Sequence, residues 1–310
     1  MKTLLAIFAH PDDESFGIGG TLAKYAHEGV AVYYLCGTRG ESGTVDPAFL
    51  RGYADVGALR SAELECASRE LGLAGVRYLG FRDSGMPGAP DNRHPNSLFC
   101  ASVDAVAERI IAHITDVQPD VVITHDKFGG YGHPDHIKLY HATLRAYEKL
   151  YGLSLGDDHT AFSPTTSDSI NDHPSPALHR SSHQSSTDDA RVERVPRLYV
   201  TAFPKGMLKV AVRLLPLLGQ NPRQFGRNKD IDLVTMSTWV VPVTTRIPVR
   251  AYIGHKERAS ACHLSQQPVT RQGNLIVRLL FRRANTWEAF SRLYPPVKAG
   301  EPIETDLFGV

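Results

Sequence analysis

The feature that most constrains the fold is a short apolar run near the start of the chain, followed at once by ionisable residues. Residues 4–9 read LLAIFA, and residues 10–14 read HPDDE. An apolar run bounded by Pro and acids predicts a buried strand, of the kind found in the middle of a parallel sheet. In open α/β sheets, ligands bind at the carboxyl ends of the strands. One imidazole and three carboxylates at such an end therefore indicate a binding site, and a divalent metal is the simplest occupant.

The spacing within residues 10–14 indicates which side chains would bind the metal. His10 and Asp13 are three residues apart, so one helical turn brings them to the same side, and Pro11 suits a first helical position. Asp12 then points elsewhere, close enough to act on a molecule that the metal holds. The motif thus predicts two metal ligands and one carboxylate that stays off the metal.

A second strand-to-helix junction carries a similar set of residues. Residues 121–124 read VVIT and predict another buried strand, and residues 133–136 read HPDH just before a helical pattern over residues 137–150. A catalytic metal site needs about three protein ligands and an open position for water. The two ligands of the first motif and one of the two histidines of the second supply that set.

Apolar runs alternate with helical patterns through residue 150. Strand, helix, strand at these lengths predicts βαβ units and hence a parallel sheet. We expect an α/β fold, a Rossmann-like and mostly parallel sheet of about five core strands with helices on both faces. The two motifs should then be adjacent at the carboxyl edge. The further predicted strands are 30–36 and 76–81, and the predicted helices are 21–27, 56–71 and 101–114.

The second half of the chain is less regular. Residues 154–193 are rich in Ser, Thr, Asp and His, and too little apolar surface is available there to offset the entropy of ordering. We predict a disordered or irregular insertion within a single domain that spans residues 1–310. Residues 205–218 are apolar with interleaved basic residues, which leaves three roles open: a lid helix, a dimer interface or contact with a membrane surface. Strands are predicted at 198–202 and within 237–249, and helices at 250–263 and 286–293.

Composition excludes several classes of function. The chain has 34 basic and 33 acidic residues, and so lacks the basic excess of a nucleic-acid-binding protein. No stretch is long and apolar enough to span a membrane. The cysteines are widely spaced and form no CxxC pair, so we expect reduced thiols in a cytoplasmic protein. They are Cys36, Cys66, Cys100 and Cys262.

The two motifs together resemble those of a known family. AHPDDE at residues 9–14 and GHPDH at residues 132–136 are similar to the motifs of the zinc-dependent LmbE-like family, also called the PIG-L deacetylases. The likeness covers residues 1–150 well and resumes more faintly at residues 256–266. Members remove N-acetyl groups from glucosamine-containing molecules, and some cleave related amides. The resemblance implies an LmbE-like fold, a small amino-sugar substrate and a Zn²⁺ cofactor, with Fe²⁺ as another divalent metal, and it allows a homo-oligomer.

The resemblance also implies the metal ligands and the general base. On matching positions, His10, Asp13 and His136 would bind the zinc ion. Zinc lowers the pKa of bound water toward about 7 and polarises a carbonyl group. Asp12 would be the base that takes the proton from this water.

Five further residues receive roles through the resemblance. Tyr131 would donate to the tetrahedral oxyanion. His133, protonated and steadied by Asp135, would stabilise charge or help the amine to leave. Arg60 and Asp83 would contact the substrate, the former from the long predicted helix and the latter at the end of the third predicted strand.

Two alternatives to an N-deacetylase stay open at this point. Within enzymes, the alternative is an amidase that cleaves a larger glucosaminyl-amide conjugate. From another class, the alternative is a metal- or sugar-binding protein without turnover, although such a site has no need of the Asp12 carboxylate. Free N-acetylglucosamine sugars, chitobiose-like disaccharides, thiol-pathway glycosides and a lipid-linked glycan are all candidate substrates.

Overall fold

The structure is a computed structural model in which residues 1–155, 194–202, 205–225, 231–267 and 286–309 are described. The insertion predicted at residues 154–193 lies outside the described residues, apart from its first two.

A seven-stranded sheet forms the centre of the described part of the chain, in the order β3-β2-β1-β4-β5-β7-β6. The first five strands in this order are parallel, and β7 is antiparallel to both β5 and β6. The mostly parallel sheet is therefore confirmed, with one strand, β7, antiparallel to its two neighbours near one edge. The strands are β1 (Thr3–Phe8), β2 (Ala31–Cys36), β3 (Gly75–Tyr78), β4 (Val121–Thr124), β5 (Arg197–Thr201), β6 (Thr245–Pro248) and β7 (Trp287–Tyr294).

Helices cover both faces of the sheet, as predicted. Helices α2, α3 and α9 pack together, and α4 packs against α6. The described helices are α1 (Asp13–Phe16), α2 (Gly19–His27), α3 (Val56–Leu71), α4 (Val103–Val117), α5 (Gly129–Gly132), α6 (Pro134–Tyr151), α7 (Lys205–Leu214), α8 (Leu233–Met236) and α9 (Ile253–Cys262).

Strand β1 is apolar throughout because it contributes to two cores. Leu4 and Phe8 belong to the core under α2 and α3, whereas Leu5 and Ile7 belong to the core under α4 and α6. All four side chains are buried, and burying one such side chain stabilises a fold by about 1.5–3 kcal/mol. The alternation of neighbouring side chains between two faces thus explains the uninterrupted apolar run at the start of the sequence.

The predicted last helix is wrong, because residues 287–294 form strand β7. Trp287, Phe290 and Tyr294 are spaced as on one face of a helix, which is why the pattern was misleading. Aromatic residues also favour strands, and pairing with both β5 and β6 decides the outcome. Phe290 is fully buried in the core.

The expectation of four reduced thiols is also wrong. Cys66 on α3 and Cys262 at the end of α9 form a disulfide across 196 residues of sequence, because α3 and α9 pack against each other. Cys36 and Cys100 are free. The thiol argument for a cytoplasmic location therefore no longer applies. Separately, none of the helices in the described ranges has the length and apolar character needed to cross a membrane.

Residues 205–218, for which three roles were open, form α7 and a following 3₁₀ turn. Val210 and Leu214 on α7 are 53% and 51% exposed. Helix α7 contacts α8, and α8 contacts α5, the segment that contains Tyr131. The lid, interface and membrane-contact roles all stay predictions.

Candidate active site

The two sequence motifs meet where β1 and β4 end. The strands are neighbours in the sheet, and Ile7 is level with Thr124. After β1 the chain enters the short helix α1, whereas after β4 it passes through α5 into α6. His133 is the N-cap of α6, and its Nδ1 accepts a hydrogen bond from the Asp135 N–H at 3.2 Å. The predicted adjacency of the two motifs is confirmed.

The three side chains predicted as metal ligands lie together. The distance from His10 Nδ1 to His136 Nε2 is 3.0 Å. Asp13 Oδ2 is 3.7 Å from His10 Nδ1 and 3.5 Å from His136 Nε2. Ligand atoms around a tetrahedral zinc ion, each about 2.0–2.1 Å from the metal, are roughly 3.3 Å apart. The triangle formed by these three atoms therefore fits one ion of this size, and its nitrogen and oxygen donors suit a divalent transition metal.

His125 is a second candidate for the third ligand, and sequence reasoning gave it no role. Its Nε2 is 3.6 Å from Asp13 Oδ2, but the Ala9 N–H donates to the same nitrogen at 3.1 Å. Burial and then the charge of His136 and other nearby histidines lower its pKa well below the usual value. The neutral ring stacks on His136, with ring centroids 3.7 Å apart. His125 therefore supports the ring of His136, and its position directly after a buried strand was the available clue.

Two carboxylates contact the other ring nitrogen of His10. Nε2 is 3.3 Å from Asp135 Oδ2 and 3.3 Å from Asp83 Oδ1. A carboxylate at this nitrogen fixes the ring orientation and leaves Nδ1 for the metal. Burial alone would lower the pKa of His10, but the Asp83 charge and the hydrogen bond to Asp135 raise it overall.

Asp135 does not pair with the His133 ring in the way we expected. Its carboxylate accepts hydrogen bonds from the Ser84 N–H at 2.9 Å and from the Ser84 hydroxyl, in addition to its contact with His10. Only its backbone N–H contacts His133. Burial, with the charges of His10 and His136, lowers the pKa of His133 well below its usual value. This shift favours a neutral His133 ring, whereas we expected a protonated one, and the catalytic role of His133 stays a prediction.

Asp83 is buried beside His10. Its Oδ1 accepts from the Gly85 N–H at 2.9 Å, and its Oδ2 accepts from the Ser42 N–H at 3.2 Å. Burial would raise the pKa of this carboxyl, but the charge and hydrogen bond of His10 lower it overall. The structure therefore places Asp83 at the site as a carboxylate, and its contact with substrate stays a prediction.

Asp12 has a backbone conformation that is rare for a residue with a side chain, with φ at +126°. Residues in sparsely populated regions of this kind cost about 1–3 kcal/mol and cluster at functional sites. Burial raises the pKa of Asp12 to about 6, although the charge of Arg60 opposes the shift. A carboxylate with such a pKa is suited to general-base catalysis near neutral pH.

Arg60 contacts Asp12 from helix α3. Its Nη2 donates to Asp12 Oδ2 at 3.0 Å and to the Pro11 carbonyl at 2.6 Å, and its Nη1 donates to the Gly40 carbonyl at 3.0 Å. A Cβ on Gly40 would lie only 2.1 Å from Nη1, and the φ of +70° favours glycine as well. The described contacts of Arg60 are thus with the protein, and its contact with substrate stays a prediction.

Tyr131 borders the same group of rings. Its ring centroid is 5.2 Å from that of His136 and 6.0 Å from that of His133. Burial raises the pKa of Tyr131 well above its usual value. Its hydroxyl therefore stays protonated at neutral pH and is available as a hydrogen-bond donor.

Comparison with known proteins identifies the family. The PIG-L family, described as GlcNAc-PI de-N-acetylase, matches residues 5–147. A protein of Acidothermus cellulolyticus named 1D-myo-inositol 2-acetamido-2-deoxy-alpha-D-glucopyranoside deacetylase is 32% identical over 321 residues, which cover 99% of this chain and 94% of that protein. The protein of the same name from Thermobifida fusca is also 32% identical, and 99% of each chain is covered.

A solved structure shares the fold. The N,N'-diacetylchitobiose deacetylase of Pyrococcus horikoshii aligns with a TM-score of 0.55 and 20% identity, over 96% of this chain and 87% of that one. The two curated relatives align with nearly the whole chain at 32% identity, which establishes that the chain is in the same family. Both relatives are named deacetylases, and the family is described as a de-N-acetylase. The chain therefore belongs to the PIG-L, or LmbE-like, family of N-acetylglucosaminyl deacetylases, and it is a hydrolase that removes N-acetyl groups.

Proposed function

We propose that the protein is a zinc-dependent enzyme that removes the acetyl group from an N-acetylglucosaminyl-inositol. The proposal rests on the positions of three potential metal ligands. His10 Nδ1, Asp13 Oδ2 and His136 Nε2 are 3.0–3.7 Å from one another, and the Asp12 carboxylate lies beside them. The relatives that cover nearly the whole chain are named for this glycoside, which favours it over chitobiose, free N-acetylglucosamine and a larger amide conjugate.

His10, Asp13 and His136 would hold the metal in this proposal. When bound, zinc would lower the pKa of a water molecule and polarise the acetyl carbonyl. Imidazole and carboxylate donors also suit Fe²⁺, so the identity of the metal is tested by elemental analysis of protein purified without added metal.

The remaining site residues act on the proton and on the developing charge. Asp12 takes a proton from the attacking water, and Arg60 holds the Asp12 carboxylate in place. The Tyr131 hydroxyl donates to the carbonyl oxygen as negative charge grows on it. The amide C–N bond then breaks, and the amine nitrogen receives the proton that Asp12 accepted. Acetic acid leaves with the oxygen and the second hydrogen of the water, and it ionises to acetate in solvent.

His133 contributes a further hydrogen bond as a neutral ring. Its Nδ1 already accepts from the Asp135 N–H, so the proton of the neutral imidazole is on Nε2. In this tautomer Nε2 is a donor. We propose that this Nε2–H donates to the same carbonyl oxygen, which belongs to the acetamido group of the sugar.

An open pocket of about 310 Å³ gives room for the second ring of the substrate. Its lining includes Tyr78, Phe81, Arg82 and Glu41. Glu41 accepts a hydrogen bond from the Asp83 N–H at 3.0 Å, so the pocket adjoins the candidate site. Aromatic and polar side chains together suit a polyhydroxylated ring.

Acetate release tests the proposal. Zinc-loaded enzyme should deacetylate N-acetylglucosaminyl-inositol with a kcat/KM at least about tenfold above that for N,N'-diacetylchitobiose or N-acetylglucosamine, since one order of magnitude corresponds to about 1.4 kcal/mol of recognition. Chelation should abolish turnover and zinc should restore it. Faster hydrolysis of a larger amide conjugate would favour the amidase alternative, and metal binding without release from any substrate would favour the non-catalytic alternative.

A further inference from the structure

We propose that Glu14 and His263 are positioning residues that hold the backbone of Asp12 in its catalytic conformation. The inference rests on the proposed role of Asp12 as the general base. Neither residue is one of the proposed metal ligands. The sequence analysis gave neither residue an individual role: Glu14 is part of the first motif, and His263 is the last residue of a predicted helix.

The first step is the contact between Glu14 and the strained turn. The Asp12 N–H donates to Glu14 Oε2 at 2.9 Å. Because φ of Asp12 is +126°, the turn needs an external contact that offsets its strain. Glu14 supplies this contact from the first turn of α1, and its side chain has no exposed surface.

The second step is the contact between Glu14 and His263. His263 Nε2 donates to Glu14 Oε1 at 2.6 Å, and both side chains are fully buried. The Ser15 hydroxyl donates to the same oxygen. The two carboxylate oxygens of Glu14 thus have separate partners, one the Asp12 backbone and the other a histidine 249 residues away.

The third step is the anchoring of His263. It directly follows α9, whose last residue, Cys262, is joined by a disulfide to Cys66 on α3. The Lys256 ammonium on α9 donates to the Gly17 carbonyl at 2.9 Å, just after α1. Helix α9 is therefore attached both to α3 and to the residue that follows α1, which makes it a rigid support for Glu14.

The consequence is that the direction of the Asp12 carboxylate depends on His263 through Glu14. A misplacement of about 1 Å in a catalytic group can cost about 10²-fold in rate. Loss of the His263 donor should therefore lower kcat without changing KM or the metal ligands.

The test compares His263→Phe with His263→Gln in zinc-loaded, full-length enzyme. We expect His263→Phe, which removes the donor, to lower kcat by about 10- to 100-fold. KM for the N-acetylated substrate and the zinc dissociation constant should stay within about threefold of wild type. His263→Gln keeps an N–H donor and should stay within about threefold in kcat. Zinc affinity is measured by competition with a chelator, which gives a readout independent of turnover.

A second pair of variants tests the hydrogen bond between His263 and Glu14 by changing Glu14. Glu14→Met removes both acceptor oxygens and should lower kcat as His263→Phe does. Glu14→Gln has one acceptor oxygen for the Asp12 N–H and the His263 donor together, so it should lower kcat less than Glu14→Met does. If the Phe and Met variants do not fold, His263→Gln still decides, because it keeps the donor to Glu14 and a fall in its kcat of more than about tenfold overturns the proposal.

Ser265→Ala is the matched control. The Ser265 hydroxyl donates to Glu63 Oε2 at 2.8 Å, so this variant removes a buried carboxylate contact at the same end of α9 without touching the Asp12 turn. Its kcat should be unchanged. Unaltered kcat in folded His263→Phe, or a fall in kcat matched by an equal fall in zinc affinity, would overturn the inference. An inactive wild-type enzyme would instead reject the proposed function itself.

Discussion

Asp12 and Asp13 are neighbours in the chain, but they face different partners. Asp13 Oδ2 lies within 3.5–3.7 Å of the ring nitrogens of His10 and His136. The Asp12 carboxylate instead contacts Arg60. The unusual φ of Asp12 separates the two side chains, so one can bind a metal while the other stays off it.

This separation predicts different effects for the two aspartates. Asp12→Asn should keep zinc and the fold but lower turnover by at least about 10²-fold, the usual weight of a general base. Asp13→Asn should lose zinc first, and activity with it. Zinc content and acetate release are measured on the same preparations. Zinc-free Asp12→Asn protein, or near-normal turnover with zinc bound, would show that base and ligand are assigned wrongly.

The choice between His136 and His125 as metal ligand gives a second prediction. His125 Nε2 accepts from the Ala9 N–H, and a glutamine side chain offers an acceptor as well. His125→Gln should therefore bind one zinc ion per chain, whereas His136→Gln should lose at least about 10-fold in zinc affinity, as changes at a metal site commonly do. Chelator competition measures both. The reverse order of affinities would make His125 the ligand.

At the scale of single residues, the sequence was informative where partners are close along the chain. The spacing of His10, Asp12 and Asp13 within one turn indicated two roles before any fold was known. The partners of His125 and His263 could not be predicted, because Ala9 and Glu14 lie 116 and 249 residues away. A lone histidine carries no sign of which distant group it will meet.

Among the elements, α1 and the segment after α9 are joined by an ion pair whose strength depends on pH. Burial would raise the pKa of Glu14, but His263 lowers it below 4.5. Burial would lower the pKa of His263, but Glu14 raises it above 6.5. The Glu14 contribution to stability is therefore complete above pH 4.5 and lost as pH falls further, while the His263 contribution is complete below pH 6.5 and lost as pH rises further.

It follows that the protein and its His263→Gln variant should differ most in free energy of unfolding between pH 4.5 and pH 6.5. The difference should decrease on both sides of this window. Urea unfolding followed by circular dichroism across the pH range measures it. A difference that is constant from about pH 4 to about pH 9 would contradict an ionised pair.

Elements with a strong local pattern were predicted well. The predicted and observed bounds of α3 and β4 are the same, 56–71 and 121–124. Helix α3 ends just before Gly72, whose left-handed conformation favours glycine, and β4 is buried throughout. Asp55 also caps α3 by accepting from the Ala58 N–H. Strand β7 could not be predicted, because its extended conformation depends on pairing with both β5 and β6. The spacing of its own apolar residues is that of a helix.

For the whole molecule, we propose a single domain in which residues 154–193 are dispensable. Ser, Thr, Asp and His predominate in this segment, and β4 pairs directly with β5 on either side of it. A protein with these residues replaced by a short Gly/Ser linker should unfold in one cooperative thermal transition, within about 5 °C of the full chain. Loss of soluble protein or of cooperativity would show that the segment contributes to the core.

The disulfide between α3 and α9 predicts the number of reactive thiols in the whole chain. Cys36 and Cys100 are free, whereas Cys66 and Cys262 are paired. Protein denatured without a reductant should therefore titrate two thiols with a thiol reagent, and protein denatured after reduction should titrate four. Four thiols before reduction would restore the expectation of reduced cysteines and with it the argument for a cytoplasmic location.

The central place of β1, between β2 and β4, has a consequence for the order in which the chain is made. His10 and Asp13 are synthesised before His136, which follows His10 by 126 residues, or about 6–25 s at roughly 5–20 residues per second. During that time β1 can pair only on its β2 side, and the nascent chain carries two ligands without the third. We expect stable metal binding only after β4 has paired with β1. Binding of the metal ion would then indicate that the central strands of the sheet have assembled.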